Sequence, residues 1–365
     1  MVNKNQEIPN HGRYEWADFL RGLLMILVVI YHSESYYYTG YKWSWVYQPV
    51  FLSGFFFVSG FLFCHDIQQV CLKKKVKQVL RGILFPYFVF MLLMAAPKIM
   101  VGHAEAKQLM IDILMLRASW FVIAVGAMSL LYAIILKISP SEKALFVGTI
   151  VMFTLGYALV VIYRNPPFWL TDNPWLHSKE LPNRLPGCIN LAFVQSPFYL
   201  LGILFRRHET QFKKYLGKSY LIPVSFLYVV LWGIIDHCFI GSYAIVAIDS
   251  YKNIFLVYLY AMVGIWALLC LGYLVQCWAP INYIGRYSIL FYFLNGGILT
   301  ITAAILKRVP GLNSAHLYSQ LICVLMAVGL LFIATFIITR WFPVLTGEKS
   351  AFNKWSERLG FRVKW

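Results

Sequence analysis

Long apolar runs separated by short polar loops make up most of this chain. Each run approaches the roughly twenty residues that cross a bilayer as a helix. Ten stretches can be marked. The first is 17–38, and the second, 43–64, runs 22 residues without a charge. The third, 83–97, is shorter, and its Pro86-Tyr87 pair reads as a helix start. Stretches 119–136, 144–163, 185–205 and 219–235 follow. An uncharged stretch of 33 residues, 253–285, predicts a helix ending at Trp278, before Pro280. Stretches 287–306 and 309–339 complete the set. The pattern predicts an all-α polytopic integral membrane protein of about ten transmembrane helices. A lead-in covers 1–16, the membrane domain 17–342 and a basic tail 343–365. The outer loop 164–184, rich in prolines, asparagines and aromatics, reads as an ordered cap or an interfacial loop rather than a domain.

Composition agrees. Hydrophobic residues make up 60% of the 365, charged residues 13%, and mean hydropathy is +0.66, whereas soluble domains carry about 25% charge. The start of the chain shows no short apolar region ending in a small-residue cleavage site, so the first helix is expected to be uncleaved. The net charge of +17 does not signal nucleic acid, because the basic residues sit in short loops between apolar runs. With ten spans and the first residues inside, 22 of the 32 lysines and arginines fall on the inner side, which predicts both termini in the cytoplasm. Seven cysteines form no CxxC and no zinc-like spacing, so neither a disulfide framework nor a metal site is expected.

Candidate chemistry starts in the first helix. Arg21 and His32 stand eleven positions apart, which returns them to within ~20° of one helix face, ~16 Å apart along the axis. Asp18 shares that face, and Glu34 follows closely. Ionisable groups are costly inside a membrane and face a protein interior or a wet cavity. A neutral imidazole there could take a proton from a hydroxyl; equally, it could be a satisfied core histidine, with Arg21 merely pairing Asp18. In 54–61, GFFFVSGF, the glycines read as packing residues and Ser59 as a cross-helix hydrogen-bonder. Lys77 and Arg81 share a helix face in the basic run before Pro86, where they serve topology or an anionic ligand. Ser288, Tyr292 and Asn295 form one polar stripe, for interhelical bonding or for substrate. Asp236-His237 is a weaker pair, since neighbours on a helix point about 100° apart.

These features resemble the acyltransferase-3 family of membrane-bound acyltransferases. Arg21 and His32 fit its Arg-x10-His pattern within Asp18-x-Leu20-Arg21-Gly22. Phe56-Phe57-Val58-Ser59-Gly60-Phe61 fits its FFxxSGF stretch. Trp120-Phe121 is similar to the opening of its fourth helix, and Gly285-Arg286-Tyr287-Ser288 with Tyr292 to its late GxxSxxxYLxH motif. Leu201-Gly202-Ile203 with Arg206-Arg207 resembles a further stretch. Three departures stand out. Asn295 replaces the late histidine, Ile289 stands where tyrosine is usual, and Arg81 lies one residue farther from Pro86-Tyr87 than the family's arrangement.

The resemblance implies transfer of an acetyl or other small acyl group from an acyl-CoA, usually acetyl-CoA, to a carbohydrate hydroxyl. No cofactor would be held permanently. His32 would be the general base and Arg21 a catalytic or donor-binding cation, with Lys77 and Arg81 as further donor contacts. Asp18, Glu34, Ser59, Trp120, Ser288, Tyr292 and Asn295 would contact substrate. The setting would be the bacterial inner membrane, with glycan-synthesis partners for any second transfer step. Two other readings stay open: a flippase for a lipid-linked saccharide, and an inactive structural subunit of such a complex. The flippase reading would call for paired, broken helices in two inverted halves, a symmetry not visible in the sequence.

Overall fold

A computed structural model describes residues 14–41, 43–100, 105–164, 173, 175–176, 178, 184–238 and 254–358. Most of the 164–184 loop, the first part of the lead-in and the end of the tail lie outside the described residues, as do the side chains of Asp236 and His237. Every regular element among the described residues is helical. In chain order these are α1 (Glu15–Tyr36), α2 (Ser44–Phe61), α3 (Leu72–Val79), a π turn (Leu80–Leu84), α4 (Phe85–Met100), α5 (Ala106–Leu114), α6 (Trp120–Ile138) and α7 (Glu142–Arg164). Then come α8 (Ile189–Val194), α9 (Ser196–Arg207), α10 (Glu209–Lys213), α11 (Lys218–Cys238) and α12 (Ile254–Val275). The last are α13 (Ala279–Arg286), α14 (Ser288–Leu306), α15 (Leu317–Trp341) and α16 (Lys349–Arg358).

Among the described residues eight helices are long and apolar enough to cross a membrane, and the bent α8–α9 pair makes a ninth. The apolar part of α2, Val46–Phe61, is shorter. Eight of the expected spans are therefore apolar helices of spanning length, the bent pair stands for the sixth, and the second is shorter, with further local revisions. α3, the π turn and α4 form one unbroken run, so the third helix starts at Leu72 and carries the basic residues within it. The Phe85 amide donates to the Leu80 carbonyl, five residues back. That wider turn absorbs one extra residue and eases the clash that the Pro86 ring would make with the Gly82 carbonyl. The sixth span bends by 64° between Val194 and Ser196, where Pro197 removes an amide donor. α13 is a separate helix inside the stretch expected to lead out of the eighth span. The tenth begins at Leu317 rather than 309. α5 and α16 were not expected from the apolar pattern, being short or strongly polar.

Two crossings bring helix backbones together. A Cβ on Gly22 of α1 would stand 2.0 Å from the Ile281 carbonyl oxygen, and one on Gly285 of α13 only 1.8 Å from that of Asp18. Likewise a Cβ on Gly60 of α2 would meet the Tyr199 carbonyl oxygen at 2.0 Å, and one on Gly202 of α9 that of Phe57 at the same distance. Lipid gives no hydrophobic drive for helix association, so small residues that permit such packing hold a bundle together. The same end of the bundle gathers Trp16 stacked on Tyr273, with ring centres 4.9 Å apart, and Arg206 over Tyr14 and Phe61.

At the opposite end, Arg117, fully buried, pairs with Asp112 at 3.1 Å. Asp112 also accepts from Ser178 at 2.9 Å, and Arg117 donates to the Trp175 carbonyl. A charge pair at such depth needs further hydrogen bonds to its remaining groups, and the bonds to Ser178 and Trp175 supply several of them at the start of α6.

Gly285→Ala is expected to lower the thermal stability of the purified protein by about 1–3 kcal/mol through overpacking. Gly233→Ala, where an added Cβ meets nothing within 4 Å, serves as the control. Equal melting temperatures for the two variants would contradict the α1–α13 crossing.

Candidate functional site

The α1–α13 crossing sets the register of α1 against α14, because α14 follows α13 after the single break at Tyr287. Arg21 stands one residue before Gly22 on α1, and Ser288 is the first residue of α14. Arg21 Nη2 donates to Ser288 Oγ at 2.8 Å. That bond joins the early cation to the late polar stripe across 267 residues of sequence.

Arg21 and Ser288 form part of the wall of a cleft with about 430 Å³ of free space, its open mouth included. Ser59 of α2 and Tyr292 of α14 supply its other polar positions. Met25 and Phe55 line it from α1 and α2, and Ile83 from the π turn. Phe121, Val122 and Val125 come from α6, and Ile289 from α14. The Phe121 ring is central, within 5.2–5.5 Å of the Phe55, Phe56 and Tyr292 ring centres. A mostly apolar cleft with a few convergent polar groups is the usual form of a small-molecule site.

Four of the predicted site residues thus meet in one cleft: Arg21, Ser59, Ser288 and Tyr292. The others sit elsewhere. Asp18 is buried at the α1–α13 crossing. Trp120 is buried edge-on against Phe121, 5.9 Å between centres, and so backs the cleft wall. Lys77 lies on α3 outside the cleft, and Arg81 turns away from it, its Nε donating to the Gly347 carbonyl at 2.8 Å.

His32 lies deeper along α1, beyond the cleft lining. Because α1 is continuous from Glu15 to Tyr36, the axial rise of ~16 Å from Arg21 and the shared face both hold. Met25 and Val28 occupy that face between them. The His32 ring lies 5.3 Å from the Tyr31 ring and 6.3 Å from that of Tyr36. Among the described residues no hydrogen bond engages its nitrogens.

Glu34 has a structural task. It is buried and accepts the Trp43 and Ser44 amides at 3.2 and 3.3 Å and the Tyr47 hydroxyl at 3.2 Å. It thereby caps the start of α2, whose first amides have no partner within the helix. Asn295 is 2% exposed, and its side-chain oxygen has no hydrogen-bond partner among the described residues. A buried amide left this way invites a ligand or water. The next residue, Gly296, sits where an added Cβ would lie 3.6 Å from the Tyr36 hydroxyl, so the late helix passes close to the His32 neighbourhood.

The apolar lining was not visible in sequence, since Met25, Ile83 and Val125 look like any other lipid-facing or packing residue. Ile289 had a signal, being the place where the resemblance leads to tyrosine; here it makes the wall more apolar. Among the described residues no three His, Cys, Asp or Glu side chains group as metal ligands.

No curated protein and no solved structure matches the chain. Residues 14–342 match the family described as an acyltransferase domain. With α1, α2, α6 and α14 all contributing motif residues to one cleft, and the match covering nearly the whole length, the chain belongs to the acyltransferase-3 family.

Proposed function

We propose that this protein transfers an acetyl or small acyl group from an acyl-CoA, with acetyl-CoA the expected donor, to a hydroxyl of a cell-surface or lipid-linked carbohydrate. The observation that carries this reading is the Arg21–Ser288 bond on the wall of an apolar cleft, on the helix that bears His32 one pantetheine length deeper. Ten spans with both termini cytoplasmic put the cleft's Arg21 side inward, where the basic loops concentrate and the anionic donor is supplied. A bacterial inner membrane is the setting in which such a donor and a glycan acceptor meet across one bundle.

In this reading Arg21 holds a donor phosphate, with Ser288 fixing its guanidinium. Arginine's planar fork suits phosphate better than a point charge does. The pantetheine arm follows the α1 face past Met25 and Val28, and the thioester reaches His32. His32 removes the proton from the acceptor hydroxyl while that oxygen attacks the thioester carbonyl. The tetrahedral intermediate then expels the coenzyme A thiolate, which takes the proton back from His32. Ester and free thiol result, and no cofactor is consumed. Asn295 accepts or donates a hydrogen bond to the acceptor, in place of the family's histidine. Ser59 and Tyr292 contact the donor arm. Glycan-synthesis enzymes are the natural partners for such a modification.

His32→Ala is expected to lower acyl transfer by about 10²–10⁴, read as the acyl content of surface glycans by mass spectrometry in cells producing equal amounts of each protein. Wild-type acyl content with Ala at 32 would remove His32 from the chemistry. Arg21→Ala should raise the KM for acetyl-CoA strongly. Ser288→Ala should raise it by a smaller factor, the equivalent of about 1.5–3 kcal/mol for one lost hydrogen bond with a charged partner. Steady-state rates of coenzyme A release check both, and Ser288→Ala exceeding Arg21→Ala would reverse the assigned order.

A further inference from the structure

The chain after α15 folds back over the end of the bundle that carries Arg81 and Arg286. Pro343–Thr346 makes one 3-10 turn, Gly347 takes φ +73°, and α16 follows. This segment lies beyond residue 342, where the family match ends.

Two adjacent residues of the segment grip two different walls of the cleft. The Gly347 carbonyl accepts from Arg81 Nε at 2.8 Å, and a Cβ on Gly347 would stand 2.6 Å from Gly82 Cα. Arg81 and Gly82 belong to the π turn whose Ile83 lines the cleft. Glu348 Oε1 receives Arg286 Nη2 at 3.4 Å. Arg286 ends α13, two residues before Ser288, the partner of Arg21. Farther on, Phe352 and Trp355 of α16 each pack at 5.2 Å against Phe85, the first residue after the π turn. The widened turn therefore projects Ile83 into the cleft and Arg81 into the tail, and the tail clamps the turn at Arg81, Gly82 and Phe85.

We infer that 343–358 is a positioning strap for the donor: it holds the π-turn wall and the Ser288 wall at the spacing in which an acyl-CoA phosphate seats against Arg21. The inference rests on the acyl-CoA reading above. It also gives Arg81 a different task from direct donor contact. With Nε anchored on Gly347, Arg81 ties the wall to the strap. The Arg286–Glu348 pair is about half exposed and so contributes little by itself. Gly347 and the aromatic contacts carry the strap on the π-turn side, and on the Ser288 side it continues from α15, whose Phe332 packs on Tyr283 and Phe291. Gly347 has both a left-handed backbone and a neighbouring backbone in contact, two conditions that only glycine meets easily.

The test is acetyl-CoA affinity, titrated on the full chain in lipid nanodiscs, for wild type, Gly347→Ala, Phe352→Ala and Phe352→Leu. Gly347→Ala and Phe352→Ala are expected to weaken the Kd for acetyl-CoA about tenfold, the change that ~1.4 kcal/mol of lost positioning produces. Phe352→Leu, which keeps the apolar bulk, should bind like wild type. If Gly347→Ala does not fold, Phe352→Ala against Phe352→Leu decides the matter. Wild-type affinity in Phe352→Ala overturns the strap while leaving the donor reading intact, as does equal weakening in Phe352→Leu and Phe352→Ala. A wild-type protein that does not bind acetyl-CoA overturns the donor reading and the strap with it.

Discussion

Backbone contact between α1 and α13 is the constraint on which the rest of the site depends. Asp18's carbonyl lies against Gly285 and Ile281's against Gly22, and a methyl group at either glycine would occupy space already filled by a carbonyl. The crossing fixes how far α1 can slide past α13, and therefore which residue of α1 faces the first turn of α14. Arg21 is that residue. Its bond to Ser288 follows from the crossing, and the cleft forms because α2, α6 and the π turn close around the same point. A guanidinium inside an apolar bundle is tolerated when it faces a polar partner and a cavity, and here it has both.

The helix that carries Arg21 also explains why the site has two stations. One rigid face presents a cation at the cleft and an imidazole ~16 Å beyond it. A small donor could not touch both. A donor with an anionic end and a reactive end separated by a long flexible arm could, which is the ground for proposing a coenzyme A thioester. The late helix passes near the second station through Gly296 and Tyr36, and Asn295 is the residue before that contact. An amide is neither a useful acid nor a useful base at neutral pH, so on the proposed reading the proton chemistry falls on His32.

Much of the bundle was legible because long apolar runs have one stable answer in lipid. The α1 face was legible too, since a charge, an apolar stretch and a histidine at helical spacing are rare together. The glycines of 54–61 were rightly read as packing: Gly60 lies on the Tyr199 backbone. What sequence did not show were the interruptions and the partners. The bend at Gln195 and the π turn before Pro86 arise from missing or displaced backbone bonds, which periodicity averages away. Arg81 itself lies in the π turn, which absorbs one extra residue. The capping role of Glu34 was hidden because its partners, the first amides of α2, lie across a turn. The tail was read only as charge, although Phe352 and Trp355 give α16 an apolar side that finds Phe85.

The central claim is that the donor lies along the α1 face, phosphate at Arg21 and acyl carbonyl at His32. A cryo-EM structure of the full chain in nanodiscs with a non-hydrolysable thioether analogue of acetyl-CoA tests this most directly. A phosphate is expected within hydrogen-bonding distance of Arg21, and the carbonyl carbon of the acetyl group beside the His32 imidazole. Analogue density away from α1, with Arg21 still bonded to Ser288 and nothing between Met25 and His32, would contradict it.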